Sequence, residues 1–302
     1  MQKLLIVGSG DIARRMLPRL LGHYRVLALV RYPEQCAFWR ANGARPVLGD
    51  LDRPDSLHRL AGLAEIIVHL APPAVVPGRR PSTGDARDTR TRFLLAALAR
   101  GRSLPQRIVY ISTSGVYGDC RGDLVDETRP LRPATLRARR RADAERQLRA
   151  FGRRGVTVSI LRVPGIYAAD RLPLDRLRKR TPVLCEADDV YTNHIHADDL
   201  AMLSCAALRH GRSNRVYNAT DDSRMRMGDY FDLVADSFGL PRPPRISRRE
   251  AEETLSPVQL SFLGESRRLL NDRVKKEFRA RLLYPRVGNG VAAARQEGSR
   301  RC

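Results

Sequence analysis

The 302-residue sequence predicts an α/β protein built on a doubly wound parallel sheet, with a smaller C-terminal substrate lobe. Two observations lead to this fold class. Short runs that are apolar throughout alternate with helical patterns along the first half of the chain, which is typical of parallel strands covered on both faces. In addition, a glycine-containing turn joins the first apolar run to the first helical pattern.

The expected strands and helices follow one another in a regular order. The helical pattern at residues 33–42 opens with a proline in its first turn, where the missing N–H costs no hydrogen bond. Strands are expected at residues 4–7, 26–30, 45–48, 66–70, 108–112, 157–163, 190–195 and 215–219. Helices are expected at residues 12–21, 33–42, 54–60, 90–100, 135–153, 174–180, 196–208, 227–238 and 257–278.

Composition excludes several classes of protein. The apolar runs are shorter than the roughly 18 residues of a membrane span, and the first strand leaves no room for a signal peptide, so we expect a soluble, cytoplasmic protein without a membrane partner. The formal charge is +22, but only four of the 55 basic residues are lysines and the arginines are spread along the chain, which does not favour a nucleic-acid partner. The five scattered cysteines predict reduced thiols.

The first turn carries the pattern G-x-G-x-x-A between an expected strand and an expected helix. Gly8 permits the tight turn, Gly10 lets backbone N–H groups approach a pyrophosphate, and Ala13 lets the helix pack closely on the strand. Asp11 and Ile12 open the helix, whose N-terminus directs its positive dipole end toward the phosphates. The pattern predicts a Rossmann-like dinucleotide site, and a glycine turn without a ligand is the alternative.

The residue at the end of the second strand favours NADP(H) over NAD(H). NAD-binding domains carry an acidic residue about 20 positions after the turn, whereas this chain has Arg31, which is placed to meet a 2′-phosphate. NAD remains the alternative, and Arg31 would then be one more solvent-exposed arginine. Asp50 and Leu51 follow the third strand and are expected on the adenine side of the cofactor, or in a plain turn.

We expect three segments along the chain. Residues 1–165 form the dinucleotide-binding domain, and residues 166–286 form the smaller substrate lobe, with elements that return to the sheet. Residues 287–302 are polar and contain glycine, which predicts a disordered tail. The proline-rich stretch 71–88 is expected to be a loop at the carboxyl end of the 66–70 strand, the sheet edge at which α/β proteins bind ligands.

Further segments follow the glycine turn in a characteristic order. They are Gly49-Asp50, His69-Leu70-Ala71-Pro72, Tyr110-Ile111-Ser112-Thr113-Ser114-Gly115-Val116-Tyr117-Gly118, Leu161-Arg162-Val163-Pro164-Gly165-Ile166-Tyr167, His194-Ile195-His196-Ala197-Asp198-Asp199-Leu200 and Val216-Tyr217-Asn218. Their order and spacing resemble the short-chain dehydrogenase/reductase superfamily, in the extended or atypical branch that includes nucleotide-sugar epimerases and dehydratases.

The resemblance implies a nicotinamide cofactor lying across the sheet and a reaction at a Ser/Thr–Tyr–Lys group. Thr113 stands four residues before Tyr117, as the family's serine or threonine does, and Ser112 and Ser114 beside it are expected to contact substrate. Hydrogen bonding at the end of the strand is the alternative role of these hydroxyls. The residues expected beside the cofactor after the fourth strand are Leu70, Ala71 and Pro72.

The tyrosine and lysine of that group are missing. Alignment on Glu145 puts Arg137 at the tyrosine position and Arg141 at the lysine position. Arg141 can bind the ribose in place of the lysine, but arginine, with a pKa above about 12, cannot exchange a proton at neutral pH. Arg137 is expected to contact substrate, and Tyr167, followed by Tyr117, is the expected substitute for the missing tyrosine. The alternatives are an exposed helix face for the arginines and packing for the tyrosines.

No metal site is expected. His194 and His196 would share a strand face and are followed by Asp198 and Asp199, but no further ligand has a suitable spacing nearby. The resemblance makes this segment a strand-to-helix junction with Asp198 or Asp199 as the N-cap. A serine hydrolase is excluded because the chain has no G-x-S-x-G turn.

Three functions are compatible with these observations. The first is an NAD(P)-dependent oxidoreductase or epimerase/dehydratase-like enzyme acting on a small hydroxylated or sugar-nucleotide-like molecule. The second is a catalytically silent NADP(H)-binding sensor or regulatory protein, in which Arg137 and Arg141 mark the lost pair. The third and least favoured is a nucleic-acid-associated protein. The fold does not separate them, and a homodimer is left open.

Overall fold

The computed structural model describes residues 1–74 and 86–299. Its strands are β1 (Lys3–Val7), β2 (Arg25–Val30), β3 (Arg45–Leu48), β4 (Ile66–His69), β5 (Arg107–Thr113), β6 (Leu124–Val125), β7 (Thr157–Val163), β8 (Gly165–Tyr167), β9 (Val183–Leu184), β10 (Tyr191–Thr192), β11 (His194–His196), β12 (Arg215–Asn218), β13 (Met225–Arg226), β14 (Arg245–Ile246) and β15 (Arg268–Leu269). Its α-helices are α1 (Asp11–Leu20), α2 (Gln35–Ala41), α3 (Thr89–Ala99), α4 (Leu136–Gly152), α5 (Leu174–Arg178), α6 (Ala197–His210), α7 (Met227–Ser237), α8 (Arg248–Thr254), α9 (Pro257–Leu263), α10 (Asp272–Phe278) and α11 (Val287–Ser299).

The described residues form a central seven-stranded sheet in the order β3-β2-β1-β4-β5-β7-β12. Every neighbouring pair in it is parallel. The chain moves outward from β1 to β2 and β3, then returns to the other side of β1 for β4. The loops after β1 and β4 therefore diverge and leave a crevice at the carboxyl ends of these strands. This sheet and its flanking helices confirm the predicted fold class.

The central sheet is buried on both faces because its side chains alternate between two apolar clusters. In β1, Leu4 and Ile6 join the cluster on the face covered by α1, α6 and α10, whereas Leu5 and Val7 join the cluster beneath α3 and α4. All four side chains are fully buried. Burial on both faces explains why the strands read as continuous apolar runs.

A smaller apolar cluster holds the C-terminal lobe together. It joins Leu177 of α5, Phe231 and Val234 of α7, and Val287 and Val291 of α11. The lobe joins the sheet through the parallel pair β8 and β11. In the chain, β8 follows directly after β7 and β11 directly precedes α6. This arrangement places the lobe above the carboxyl ends of the central strands.

The tail was predicted wrongly as disordered, because residues 287–299 form α11. Val287 and Val291 lie four residues apart, on one helix face, and both are fully buried against the C-terminal lobe. The segment is mostly polar, so its sequence suggested fraying, but two apolar side chains on one face are enough to dock it. Residues 300–302, which include Cys302, lie outside the described residues.

Replacing Val291 by alanine is expected to lower the free energy of unfolding by about 1–2 kcal/mol, because the buried side chain loses two methyl groups. Urea denaturation measures the change. The control is Ala292→Ser on the exposed side of α11, expected within about 0.5 kcal/mol of the natural protein. Indistinguishable midpoints for the two variants would show that α11 contributes no packing.

Two more predicted elements differ from the structure. The single helix expected at 257–278 is divided into α9 and α10, and between them β15 pairs with the distant strand β6. The strand expected at 190–195 is two short strands, β10 and β11, which pair with different partners. In both cases the pairing partner is remote in the sequence, so local periodicity did not reveal it. Of the predicted loop 71–88, residues 75–85, with Pro77 and Pro81, lie outside the described residues.

Candidate active site

A central cavity of about 770 Å³ lies between the carboxyl ends of the sheet strands and the C-terminal lobe. Its walls come from the turn after β1, the end of β5, the first turns of α4 and the segments around β8 and α7. The structure thus brings most of the sequence-predicted site residues together around one space. Those that line it are Gly8, Gly10, Asp11, Ile12, Ala13, Leu70, Pro72, Ser112, Thr113, Ser114, Arg137, Arg141 and Tyr167.

The glycine turn meets the end of β4 at very short range. Gly8 has a φ of +104°, and a Cβ there would lie 2.5 Å from the backbone N of Ala71. The N–H groups of Leu70 and Ala71 both donate to the carbonyl of Val7, at 2.7 and 3.1 Å. Only glycine fits this position, because a side chain would meet both strain and backbone. Ala71 itself is buried and contributes to the site through its backbone.

The second glycine has open space where a side chain would be. A Cβ on Gly10 would meet no atom within 4 Å, and Gly10 lines the central cavity. As the N-cap of α1 it provides no side-chain hydrogen bond, so the N–H groups of the first turn keep their capacity to donate. An uncapped helix start that faces a cavity presents N–H donors and a positive dipole end, which favour an anion such as a pyrophosphate.

Asp11 places a carboxylate beside this helix start, but two arginines neutralise it. Arg15 bonds it at 3.0 Å from the next turn of α1, and Arg171 reaches it from the C-terminal lobe at 3.1 Å. Arg15 also bonds Asp198 at the start of α6, at 2.7 Å. The negative charge of Asp11 is therefore balanced by two guanidiniums.

Arg31 lies outside the central cavity and is paired with carboxylates. Its guanidinium is 3.0 Å from Asp50 and 3.5 Å from Asp52, and Asp52 also binds Arg90 at 2.6 Å. Arg31 is 45% exposed, so these pairs are screened by water. Leu51, between the two aspartates, is packed into the apolar core. Of the two residues predicted on the adenine side, Asp50 therefore belongs to an ion-pair cluster with Arg31 beside the ends of β2 and β3, whereas the side chain of Leu51 lies in the core.

Arg141 ties together the ends of two central strands. Its guanidinium donates to the carbonyls of Ala71 and Ile111, at 3.2 and 2.7 Å, and to the hydroxyl of Tyr110, at 3.0 Å. All three acceptors are neutral, so its positive charge remains at the edge of the central cavity.

The hydroxyls at the end of β5 divide between the central cavity and the protein interior. Thr113 accepts a hydrogen bond from the N–H of Gly115 at 3.3 Å and lines the cavity. Ser112 donates to the buried carboxylate of Glu145 at 2.6 Å, which also binds Arg162 at 2.8 Å. Ser112 is thus already engaged as a donor, whereas Thr113 can still donate its proton in a hydrogen bond.

Tyr117 does not reach the central cavity. Its hydroxyl donates to Asn218 at 2.7 Å, and the Arg162 guanidinium lies 4.7 Å from the centre of its ring. Burial raises the pKa of Tyr117 to about 12. The structure therefore contradicts the proposal that Tyr117 replaces the missing catalytic tyrosine, since its hydroxyl is used to fix β12.

Tyr167 lines the central cavity, but its hydroxyl is buried and has no hydrogen-bond partner among the described residues. Its ring packs edge-on against His194 and His196, with centroids 6.2 and 5.2 Å away. α11 covers it so closely that a Cβ on Gly290 would lie 2.5 Å from the ring. Burial raises the pKa of Tyr167, so the group remains protonated at neutral pH and does not act as a base.

His196 has a structural role, whereas His194 lines the central cavity. His196, not either aspartate as predicted, is the side-chain N-cap of α6, because its Nδ1 accepts the N–H of Asp198 at 3.2 Å. Asp199 instead accepts the N–H groups of Leu283 and Tyr284. Burial lowers the pKa of His194 to about 3. No group of three or more potential ligands for a metal ion lies within residues 1–74 and 86–299.

Several cavity residues come from the C-terminal lobe and were not predicted. They belong to segments far apart in the sequence, and no local spacing relates them, so only the folded chain shows that they share a surface. The charged and aromatic members of this group are Arg171, Arg176, Tyr191, His194, Tyr230, Phe231, Phe262, Glu265 and Arg267.

No helix among the described residues has both the length and the apolar character needed to span a membrane.

The chain is similar to proteins of known activity and to solved structures. It is 27% identical over 249 residues to 4-hydroxy-2-methyl-3-oxo-4-farnesyl-3,4-dihydroquinoline-1-oxide ketoreductase of Stigmatella aurantiaca, covering 80% of this chain and 74% of that protein. A conserved protein of unknown function from Silicibacter pomeroyi is 29% identical, with a TM-score of 0.76 and 99% of both chains covered. A dTDP-glucose 4,6-dehydratase from Streptomyces venezuelae, solved with NAD, is 21% identical, with a TM-score of 0.75 and 98% and 96% coverage.

The model of the NAD dependent epimerase/dehydratase family matches residues 4–220, which include the whole central sheet from β2 to β12 and nearly all of β1. The match confirms the resemblance to the extended short-chain dehydrogenase/reductases. It spans the glycine turn, the end of β5 and α4, the parts that build the central cavity. The chain belongs to the NAD dependent epimerase/dehydratase family.

Proposed function

We propose that the protein is an NADP(H)-dependent oxidoreductase that transfers hydride to or from a small carbonyl or hydroxyl compound. The observation that carries this proposal is the uncapped start of α1 at Gly10, which opens onto the central cavity. A nicotinamide cofactor bound there supplies the hydride. The similarity to a ketoreductase supports carbonyl reduction as the reaction class.

The residues at the end of β5 and the start of α4 would hold the substrate oxygen. Thr113 has an O–H that can donate to a carbonyl or alcohol, and Arg137 lines the same cavity where the family's tyrosine stands. A guanidinium stabilises a developing alkoxide by charge and hydrogen bonds, but it does not release a proton at neutral pH. Thr113 is therefore the group through which a proton from solvent would reach the oxygen.

Arg141 would hold the cofactor ribose, and the ring of Tyr167 would form part of the cavity wall. Arg141 is fixed by three neutral acceptors, which leaves its charge available to the ligand. The Tyr167 hydroxyl is buried beneath α11 and keeps its proton because burial raises its pKa, so we do not assign it the role of the base.

NADP(H) is favoured over NAD(H) because a 2′-phosphate can replace Asp50 and Asp52 as the partner of Arg31. An exposed ion pair contributes only about 0–1 kcal/mol, so Arg31 loses little when it leaves the two aspartates. A phosphate can bind the freed guanidinium with two parallel hydrogen bonds. Without the phosphate, the two aspartates hold the guanidinium in place.

Replacing Arg31 by alanine is expected to weaken NADPH binding about tenfold or more and to change NADH binding less than about threefold. Fluorescence titration with each dinucleotide measures the two affinities. The matched control is Arg25→Ala, an exposed arginine at the opposite end of the same strand, which should change neither affinity. Equal losses for NADPH and NADH in the Arg31 variant would contradict a contact with the 2′-phosphate.

A second candidate function is a catalytically silent NADP(H)-binding sensor. The arginines expected at both positions of the family's Tyr–Lys pair favour it. Thermal unfolding with NADPH and NADH, followed by assay of NADPH oxidation with a panel of carbonyl compounds, separates the two functions. Turnover that is lost in Thr113→Val supports the oxidoreductase. Stabilisation by NADPH without any turnover supports the sensor, and no response to either dinucleotide contradicts both.

A further inference from the structure

The central cavity carries more positive than negative charge. Of the described residues that line it, five are arginines and two are carboxylates. The carboxylates are each paired: Asp11 with Arg171 at 3.1 Å, and Glu265 with Arg267 at 2.7 Å. Arg141 donates to the neutral oxygens at the ends of β4 and β5. This leaves two further arginines for which the lining residues provide no countercharge.

Arg176 is the first of these two arginines. It lies on α5, and its guanidinium is 4.6 Å from the ring centre of Phe231 on α7. Its Nε is buried and has no hydrogen-bond partner among the described residues, and burial lowers its pKa. A desolvated donor that lacks an acceptor is costly, so this guanidinium is arranged to receive an oxygen from outside the chain.

Arg137 is the second. It lies on α4, its guanidinium is 5.1 Å from the ring centre of Phe262 on α9, and no ion pair with a described carboxylate joins it. A guanidinium over an aromatic face has a fixed plane, and its outer edge remains free to bind an anion. Arg137 occupies the position of the family's catalytic tyrosine, which places that edge beside the reacting part of a bound substrate.

The cofactor pyrophosphate does not satisfy these two guanidiniums in the proposed arrangement. Its site is the start of α1 at Gly10, on the sheet side of the central cavity. Arg176 and Arg137 instead pack on aromatic rings that belong to α7 and α9, in the part of the chain that follows the family's dinucleotide-binding half. The anion that binds these arginines therefore belongs to the substrate and not to the cofactor.

Resting on the proposed function, we infer that the substrate is a small organic anion whose carboxylate or phosphate binds Arg176, and that the positive charge of Arg137 in the same cavity favours the bound anion. Planar guanidiniums bind both groups with paired, charge-assisted hydrogen bonds. The ring of Phe262, which is 45% exposed and lines the same cavity, gives the apolar body of this anion a surface to pack on. The substrate is thus an acid with an apolar or aromatic body and a carbonyl or hydroxyl group.

Isothermal titration of the full-length protein with benzoate, phenyl phosphate and neutral benzamide tests the inference, with and without saturating NADP⁺. At least one of the two anions should bind about tenfold more tightly than benzamide, because it gains a charge-assisted hydrogen bond. Arg176→Gln should weaken that binding about tenfold or more, and Arg137→Gln, an exposed position, should weaken it as well. The matched control is Arg178→Gln, on the same helix, where the arginine is 60% exposed and paired with Asp175.

The possible results distinguish a carboxylate ligand from a phosphate ligand. They also test this inference separately from the proposed function. Tighter binding of benzoate identifies a carboxylate substrate, and tighter binding of phenyl phosphate identifies a phosphorylated one. Equal binding of benzamide, no binding of either anion, or unchanged anion affinity in both Arg176→Gln and Arg137→Gln overturns the inference. Anion binding that depends on Arg176 in a protein that does not bind NADP⁺ supports the inference and contradicts the proposed function.

Discussion

Replacing Gly10 by aspartate is expected to reduce the affinity for NADPH by about 100-fold or more while leaving the fold intact. The side chain would enter the open space beside Gly10 and cap the N–H groups of α1 that the pyrophosphate needs. Loss of two charge-assisted hydrogen bonds costs about 3–6 kcal/mol, and the new carboxylate also repels the phosphates. Fluorescence titration with NADPH measures the affinity, and thermal unfolding of the free protein measures the stability.

Two further variants make this result specific. Gly22→Asp adds the same charge at an exposed turn where a Cβ meets no atom within 4 Å, and it should bind NADPH normally. Gly8→Ala should instead destabilise the free protein, because its Cβ would overlap the backbone of Ala71. Retention of NADPH affinity in the Gly10 variant would show that the start of α1 is not the pyrophosphate site.

The parts of the site that the sequence predicted are those that depend on local backbone chemistry. Gly8, Gly10 and Ala13 are required by a strand–turn–helix unit within a few residues of one another, so their spacing alone indicated the turn. Thr113 was identified from the resemblance, because the family's serine or threonine stands four residues before the position of Tyr117. The central sheet was predicted from continuous apolar runs in the sequence, because burial on both faces of a parallel sheet requires them.

The parts that were missed depend on contacts between distant segments. Residues 287–299 looked like a frayed tail because the C-terminal lobe against which Val287 and Val291 pack is built from remote elements. Arg176 gave no signal of its own, since an arginine-rich chain offers many equivalent arginines and only the cavity distinguishes this one. Tyr117 was misread for a related reason: its hydroxyl bonds Asn218, which lies about a hundred residues further along the chain.

The sequence predicts Arg137 and Arg141 at the two positions of the family's Tyr–Lys pair, and such a replacement would change what the central cavity can do. A tyrosine donates a proton and a lysine lowers its pKa, whereas Arg137 and Arg141 hold fixed positive charge. Fixed charge is suited to binding an anion and to stabilising an alkoxide, and it contributes little to proton transfer. The replacement therefore favours a substrate that carries its own negative charge, in agreement with the unpaired guanidinium of Arg176.

A buried ion pair lies next to the residues that line this cavity. Glu145 of α4 and Arg162 of β7 are joined at 2.8 Å, and their side chains are only 2% and 4% exposed. Glu145 also accepts the hydroxyl proton of Ser112, and Arg162 lies over the ring of Tyr117. The pair thus links the helix that carries both replaced positions to the strand ends that form the cavity floor.

Replacing Arg162 by methionine is expected to lower the free energy of unfolding by about 3–5 kcal/mol, because Glu145 would remain as a buried charge without a counterion. Urea denaturation at neutral pH measures the loss. Adding Glu145→Gln should recover part of it, since the amide is neutral and its oxygen still accepts the hydrogen bond of Ser112. Arg153→Met, at an exposed position after α4, is the control. A loss no larger than that of this control would show that the pair does not stabilise the cavity floor.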